Sequence, residues 1–345
     1  MKLRFNFKTG LVLLTLGLML SGFALSSCKS LSKPTAVKTH GRQLLVGQEP
    51  FFIKGICYHP VPANQTKRSF DRIEEDLQLM KAAGINTIRV YEPIVEREVL
   101  DIIAKNEMYV ILGFGYNQGG KFDILTGTFS DYVEMYKDHP AILLWELGNE
   151  YNYHPEWFSG DIKNWYKAMN EAAKVIHSLD SNHPVTTAHG ELPDKLALEM
   201  GSEIDVWGMN VYRWDKPGPI FDQWKARSDK PMYLSEAGGD SYMTYGSHGY
   251  AKGPNQKAQA DANANILKEV FENKDVGSGV ALFSFTDGWW KAGNPSKQDP
   301  GGFAPNSSGV PYDRTANEEH WGIVDLDRKQ KQAYQIVKKY YTNVR

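Results

Sequence analysis

A chain of 345 residues with 41% hydrophobic and 23% charged residues has the make-up of a folded globular protein, which excludes extended disorder over most of its length. Its 39 basic and 41 acidic side chains nearly cancel and form no long single-sign run, which excludes the basic face of a nucleic-acid binder. Two cysteines are too few to build a cysteine-ligated zinc site.

The chain opens with Lys2, Arg4 and Lys8, then an apolar stretch over 11–20 and a run of small residues. That order is the order of an export signal. The apolar run is short and broken by Gly17, Ser21 and Gly22, so it is not read as a membrane span. Its end, Leu25-Ser26-Ser27-Cys28, resembles the lipobox of bacterial lipoproteins, which implies cleavage before Cys28 and lipidation of that cysteine. Residues 1–28 are therefore expected to be removed up to the lipid-bearing cysteine, with 29–41, rich in Ser, Lys and Thr, as a flexible tether. The expected location is the bacterial cell envelope, held by a lipid at Cys28. Lys29 is compatible with the outer membrane of a Gram-negative cell. Cys57 would then be the one remaining thiol, without a disulfide partner.

Beyond the tether, residues 42–345 alternate between strand-like and helix-like patterns. A hairpin over 43–46 and 50–52 turns at Gly47 and is expected to plug the floor of a barrel. Strands are expected at 52–58, 86–91, 108–114, 142–147, 184–188, 205–212, 232–235 and 280–285. Helices are expected at 69–83, 95–106, 129–137, 162–178, 256–271 and 332–341. In the first helix Ile73, Leu77, Met80 and Ala83 share one face, and Gly84 stops it. Eight strands with intervening helices in a single domain predict a closed α/β architecture, the (β/α)8 TIM barrel. A doubly wound nucleotide-binding sheet is disfavoured, because neither G-x-G-x-x-G nor G-x-x-x-x-G-K occurs.

Two glutamates stand at strand ends, where such a barrel gathers its chemistry. Glu150 closes Trp145-Glu146-Leu147-Gly148-Asn149-Glu150, and Glu236 closes Met232-Tyr233-Leu234-Ser235-Glu236. A pair of carboxylates brought together by the fold is what glycoside hydrolysis requires. No cofactor or metal is called for: the nine histidines show no H-E-x-x-H spacing, and G-x-S-x-G is absent.

These runs resemble the motifs of clan A glycoside hydrolases, most closely the catalytic barrel of glycoside hydrolase family 2. Trp145 to Glu150 resembles its acid/base motif on strand four, Ser235-Glu236 its nucleophile motif on strand seven, and Gly55-Ile56-Cys57-Tyr58-His59 its first-strand motif. Arg89 matches its second-strand arginine, and Glu319 to Asp325 followed by Lys331-Gln332-Ala333-Tyr334 is similar to its last barrel segment. The first two strands also resemble the glucanosyltransferases of family 72, which transfer sugar chains and rely on disulfides that this chain lacks.

The resemblance implies a retaining mechanism with the two carboxyl groups about 5 to 5.5 Å apart, Glu236 attacking the anomeric carbon and Glu150 serving as acid and then base. It further implies that Arg89 keeps Glu236 ionised, Asn149 binds the sugar 2-hydroxyl, Tyr212 donates to the nucleophile and Trp289 lies beneath the reacting sugar. His59 stands between substrate binder and structural residue. The presumed rim loops are rich in aromatic residues (Tyr116, Tyr151, Tyr153, His154, Trp157, Trp214, Tyr242, Tyr245 and Tyr250), candidates for sugar stacking. The long segment 287–319 is expected over the active face. The expected function is a retaining β-glycosidase acting on an oligo- or polysaccharide, with β-glucan or β-mannan favoured. The alternatives are a β-1,3-glucan transglycosylase and a non-catalytic glycan-binding surface lipoprotein. Oligomeric state is not legible in the sequence.

Overall fold

The computed structural model describes residues 35–114, 121–300, 303–305 and 312–343. The leader, Cys28 and Tyr116 lie outside the described residues. Residues 31–345 form one compact unit. Among the described residues, no helix is long and apolar enough to cross a membrane.

The chain begins with an antiparallel sheet of β1 (Val37–His40), β2 (Gln43–Val46) and β3 (Glu49–Phe51). The tether expected over 29–41 therefore ends sooner. Val37 is fully buried and its N–H donates to the Asn182 carbonyl at 2.7 Å, which ties 37–40 into the fold. Val37 and Leu44 pack with Ile53, Leu143, Val206 and Tyr233, so the sheet covers the end of the barrel where the strands begin.

The barrel strands are β4 (Ile53–Cys57), β5 (Thr87–Val90), β6 (Tyr109–Phe114), β7 (Ile142–Asn149), β8 (Val185–Gly190), β9 (Val206–Asn210), β10 (Met232–Ala237) and, after the short pair β11 (Tyr242–Met243) and β12 (Gly253–Pro254), β13 (Gly277–Leu282). They close in parallel in the order β10-β13-β4-β5-β6-β7-β8-β9. A second short pair, β14 (Phe303–Pro305) and β15 (Thr315–Asn317), lies in the long segment after β13. The strands are near-continuous apolar runs because both faces are covered, by side chains inside and by helices outside. In β7 the first seven residues are all buried.

The helices are α1 (Ile73–Ala82), α2 (Arg97–Lys105), α3 (Phe129–Tyr136), α4 (Ile162–Leu179), α5 (Lys195–Met200), α6 (Pro219–Lys225), α7 (Gln256–Glu272) and α8 (Gln332–Asn343). Trp165, Met169, Ala172, Ala173 and Ile176 of α4 are buried, as their spacing predicts. Helices α5 and α6 go unread in the sequence, since six or seven residues hold too few turns for a periodic signal. Asp194 caps α5 by accepting from the Ala197 N–H at 2.8 Å. The eighth barrel strand runs 277–282 and not 280–285; the regular ladder ends at Leu282, and Phe283 and Ser284 after it line a cavity at the strand ends.

Candidate active site

Two irregularities in the barrel set the site. On β7 the register against β8 slips between Leu147 and Asn149, and on β10 the register against β9 slips between Leu234 and Glu236. A bulge re-aims the residue that follows it. Gly148 supplies the positive φ of 71° that the first one needs, and a Cβ there would lie 2.5 Å from the Trp165 ring. Glu150 itself sits in the left-handed region at φ 57°.

Both re-aimed glutamates line one cavity of about 600 Å³ at the C-terminal ends of the strands, together with Cys57, His59, Tyr91, Asn149, Asn210 and Tyr212. Their surroundings differ. Glu236, 6% exposed, accepts three hydrogen bonds: from Tyr91 at 2.7 Å and Arg89 Nη1 at 2.9 Å on Oε1, and from Tyr212 at 2.8 Å on Oε2. Burial holds both tyrosines well above the usual phenol range, so they remain donors. Glu150 is half-buried with fewer donors. Burial, then the negative charge of Glu236, push it up to about 7, and an Asn210 hydrogen bond, Arg89 and His154 only partly offset this.

Arg89 is fully buried and spreads its donors over several partners, the Ser235 carbonyl at 3.2 Å among them. Nε bonds both oxygens of Glu146 at 2.9 Å, Nη1 bonds Glu236, and Nη2 bonds Asn149 Oδ1 at 2.7 Å. Asn149 Oδ1 also accepts from Asn210 Nδ2 at 3.1 Å, and Asn210 Oδ1 accepts from Ser235 at 2.7 Å. With its carbonyl twice occupied, Asn149 keeps its amide N–H groups for a ligand. His59 lies between Tyr91 and Trp290 with Nδ1 buried and unpartnered. Burial, Arg68 and Lys291 lower it to about 4, so the ring is neutral near neutral pH. Cys57 is a buried thiol donating to the Ser235 carbonyl at 3.4 Å, and burial pushes it up to about 12.

The structure thus brings together Glu150, Glu236, Arg89, Asn149, Tyr212 and His59. It corrects Trp289: the tryptophans on the cavity wall are Trp290 and Trp321, joined there by Phe283. Trp289 and Trp290 are neighbours in a 3₁₀ turn, Trp289–Ala292, where successive side chains diverge by about 120°, so only one of the two faces the cavity. Phe283 reaches it directly after β13, with Trp321 edge-on at 5.3 Å and Tyr212 beyond at 5.4 Å from Trp321. The segment 287–319 contributes Gly288, Trp290, Lys291, Ala316 and Glu318 to the wall.

Of the rim aromatics, Tyr153 lines the cavity and is 54% exposed. Tyr151 is instead packed on Trp165 at 4.6 Å, His154 stacks on Trp157 at 3.8 Å, and Trp214, Tyr242 and Tyr250 pack against His248, His320 and Tyr312. Sequence reasoning missed Tyr91, Asn210 and Glu146. Tyr91 and Asn210 each stand two residues from a residue it did find, Arg89 and Tyr212, and alternation along a strand puts such pairs on one face. Among the described residues, no group of three or more His, Cys, Asp or Glu is placed to hold a metal ion.

Comparison with known proteins agrees with this fold. A β-glucuronidase of Paenibacillus borealis is 23% identical over 289 residues, 73% of this chain and 45% of its own length. One from Sus scrofa is 22% identical, covering 71% of this chain and 40% of its own. The chain therefore spans less than half the length of these curated relatives. Among solved structures, a family 2 β-galacturonidase from Eisenbergiella tayi bound to galacturonate superposes with a TM-score of 0.67 at 21% identity, over 91% of this chain and 54% of its own. A β-D-glucuronidase of Dictyoglomus thermophilum superposes at 0.69 with 18% identity, over 90% and 54%. These share the barrel. The sequence profile described as Glucanosyltransferase matches residues 26–218, more than half of the chain, and the protein belongs to that family, glycoside hydrolase family 72.

Proposed function

We propose that this protein is a retaining β-glycosidase in which Glu236 is the nucleophile and Glu150 the acid/base. The observation that carries the proposal is the contrast between the two carboxylates in one cavity. Glu236, held by three donors that stay protonated, is placed to attack; Glu150, raised to about 7, is suited to hold a proton for the departing oxygen and then to take one from the incoming water or sugar. Asn149 would offer its amide to the 2-hydroxyl, and Tyr212 and Tyr91 would hold Glu236 in line.

The relatives are named for uronides, but the charge of this cavity supports a neutral sugar, such as that of a β-glucan or β-mannan. Glu150, Glu191, Glu236 and Glu318 line it against Lys291, which Glu318 engages at 3.1 Å. Arg213 holds Glu191 and Arg89 is shared inside the barrel, so among the described residues lining the cavity no uncommitted cation awaits a substrate carboxylate. The undescribed stretches 115–120 and 301–302 with 306–311 contain no Lys or Arg. The family description favours a second reading, transfer to another sugar chain in place of water.

The test is a panel of β-1,3-glucan, β-1,4-glucan, mannan, xylan, galactan and 4-nitrophenyl β-D-glucuronide, incubated with the protein from Lys29 onward and with Glu236→Ala. Shorter products from a neutral glycan, made only by the wild type, are expected; products longer than the substrate would move the assignment to transfer, and glucuronide cleavage would overturn the neutral-sugar reading. Lipidation at Cys28 is part of the proposal. Detergent-phase partitioning of the full chain, lost in Cys28→Ala, checks it.

A further inference from the structure

Behind the nucleophile lies a second carboxylate that the proposed mechanism does not use. Glu146 stands four residues before Glu150 on β7 and is 1% exposed. It takes Arg89 Nε on both oxygens at 2.9 Å, Arg89 Nη2 on Oε1 at 2.8 Å and the Tyr233 hydroxyl on Oε2 at 2.8 Å. One fully buried cation is therefore divided between Glu146 and Glu236, and it also carries Asn149.

Without Glu146, the guanidinium 2.9 Å from the attacking oxygen would be balanced by Glu236 alone, where no solvent screens it. Such a charge would damp the nucleophile and draw the proton from Glu150. We propose that Glu146 is a positioning residue that aims Arg89 at Glu236 and Asn149 while cancelling most of its charge, so that one carboxylate attacks and the other keeps its proton. This inference rests on the roles proposed for Glu150 and Glu236. A purely structural ion pair would predict only a loss of stability when broken.

The sign of the effect is set by the groups facing Glu150. Glu236 comes from β10, Arg89 from β5, Asn210 and Tyr212 from β9 and the residues just after it, Glu191 from the end of β8, and Tyr153 and His154 from the turn after β7. Replacing Glu146 by Gln removes the negative charge behind Arg89 and leaves Glu236 to balance it, so more of the Arg89 charge acts on Glu150, which favours the Glu150 carboxylate.

The experiment titrates the full chain, labelled with ¹³C at the glutamate carboxyl carbons, by NMR, with Glu150 identified by the signal lost in Glu150→Gln. In Glu146→Gln the Glu150 midpoint is expected to fall by about one pH unit. Tyr233→Phe, which releases Glu146 to act more fully on Arg89, is expected to move it the other way by less. An unchanged midpoint in folded Glu146→Gln overturns the proposal; should that variant not fold, an unchanged midpoint in Tyr233→Phe does so. Because the readout needs no substrate, failure of the glycosidase reading would show separately, as absence of turnover on the glycan panel with the titration shift intact.

Discussion

The ends of β7 and β10 are built alike and behave differently. Each bears a glutamate just past a register slip, each faces the same cavity, and each derives from an apolar strand. On β10 the neighbouring strands send donors: Arg89 and Tyr91 from β5 and its end, Tyr212 from the end of β9. On β7 the carboxylate meets burial and the charge of its counterpart. The lesson is that what surrounds a carboxylate, more than where it sits on the strand, divides nucleophile from acid.

The sharpest way to break this comparison is to remove Glu236, its proposed nucleophile. Glu236→Ala should lower turnover on the order of 10⁶-fold, as for other covalent nucleophiles, while circular dichroism stays that of the wild type. Product release measured by mass spectrometry checks it, and residual turnover within tenfold of wild type would sink the assignment.

The other half is tested next. Glu150→Ala should cost about 10²–10⁴-fold on a poor leaving group and far less on an aryl glycoside whose leaving group needs no proton. The wild type should show the matching pH dependence. In the proposed mechanism Glu150 carries its proton in the first step, and burial with the charge of Glu236 raises it to about 7, so kcat/KM should fall as pH rises through about 7. A profile flat from pH 6 to 9 would contradict the acid role.

Smaller effects sharpen the picture. Tyr212→Phe removes one donor from Glu236 but leaves Arg89 and Tyr91, so kcat should drop by about 10–100-fold, the scale of a hydrogen bond to a charged group. An equal drop in Glu150-dependent and Glu150-independent substrates would place the effect on the nucleophile. Smallest is the wall: Trp290→Ala should raise KM several-fold, whereas Trp289→Ala should leave KM alone, and the reverse order would restore Trp289 to the cavity.

Much of this site was legible because its residues sit in compact local runs. Glu150 and Glu236 follow apolar strands that need only alternation and strand length to be read, and Arg89, Asn149 and Tyr212 followed from likeness to motifs of known barrels. Trp289 was misplaced because two adjacent tryptophans look equivalent until the turn that holds them is known. Glu146 was in plain view inside the same hexapeptide as Glu150, yet a glutamate inside a strand has no meaning until Arg89 and Tyr233 are seen beside it.

By itself, the sequence determined the alternation of elements, the closed barrel and the two carboxylates at strand ends, because periodicity and turn chemistry are properties of neighbours along the chain. Only the tertiary structure decided the rest. The slips on β7 and β10, the sharing of Arg89 between Glu146 and Glu236, and the choice of Phe283, Trp290 and Trp321 for the wall depend on which residues of distant strands come to lie side by side. Charge and register between strands are set by that closure, and no local pattern carries them.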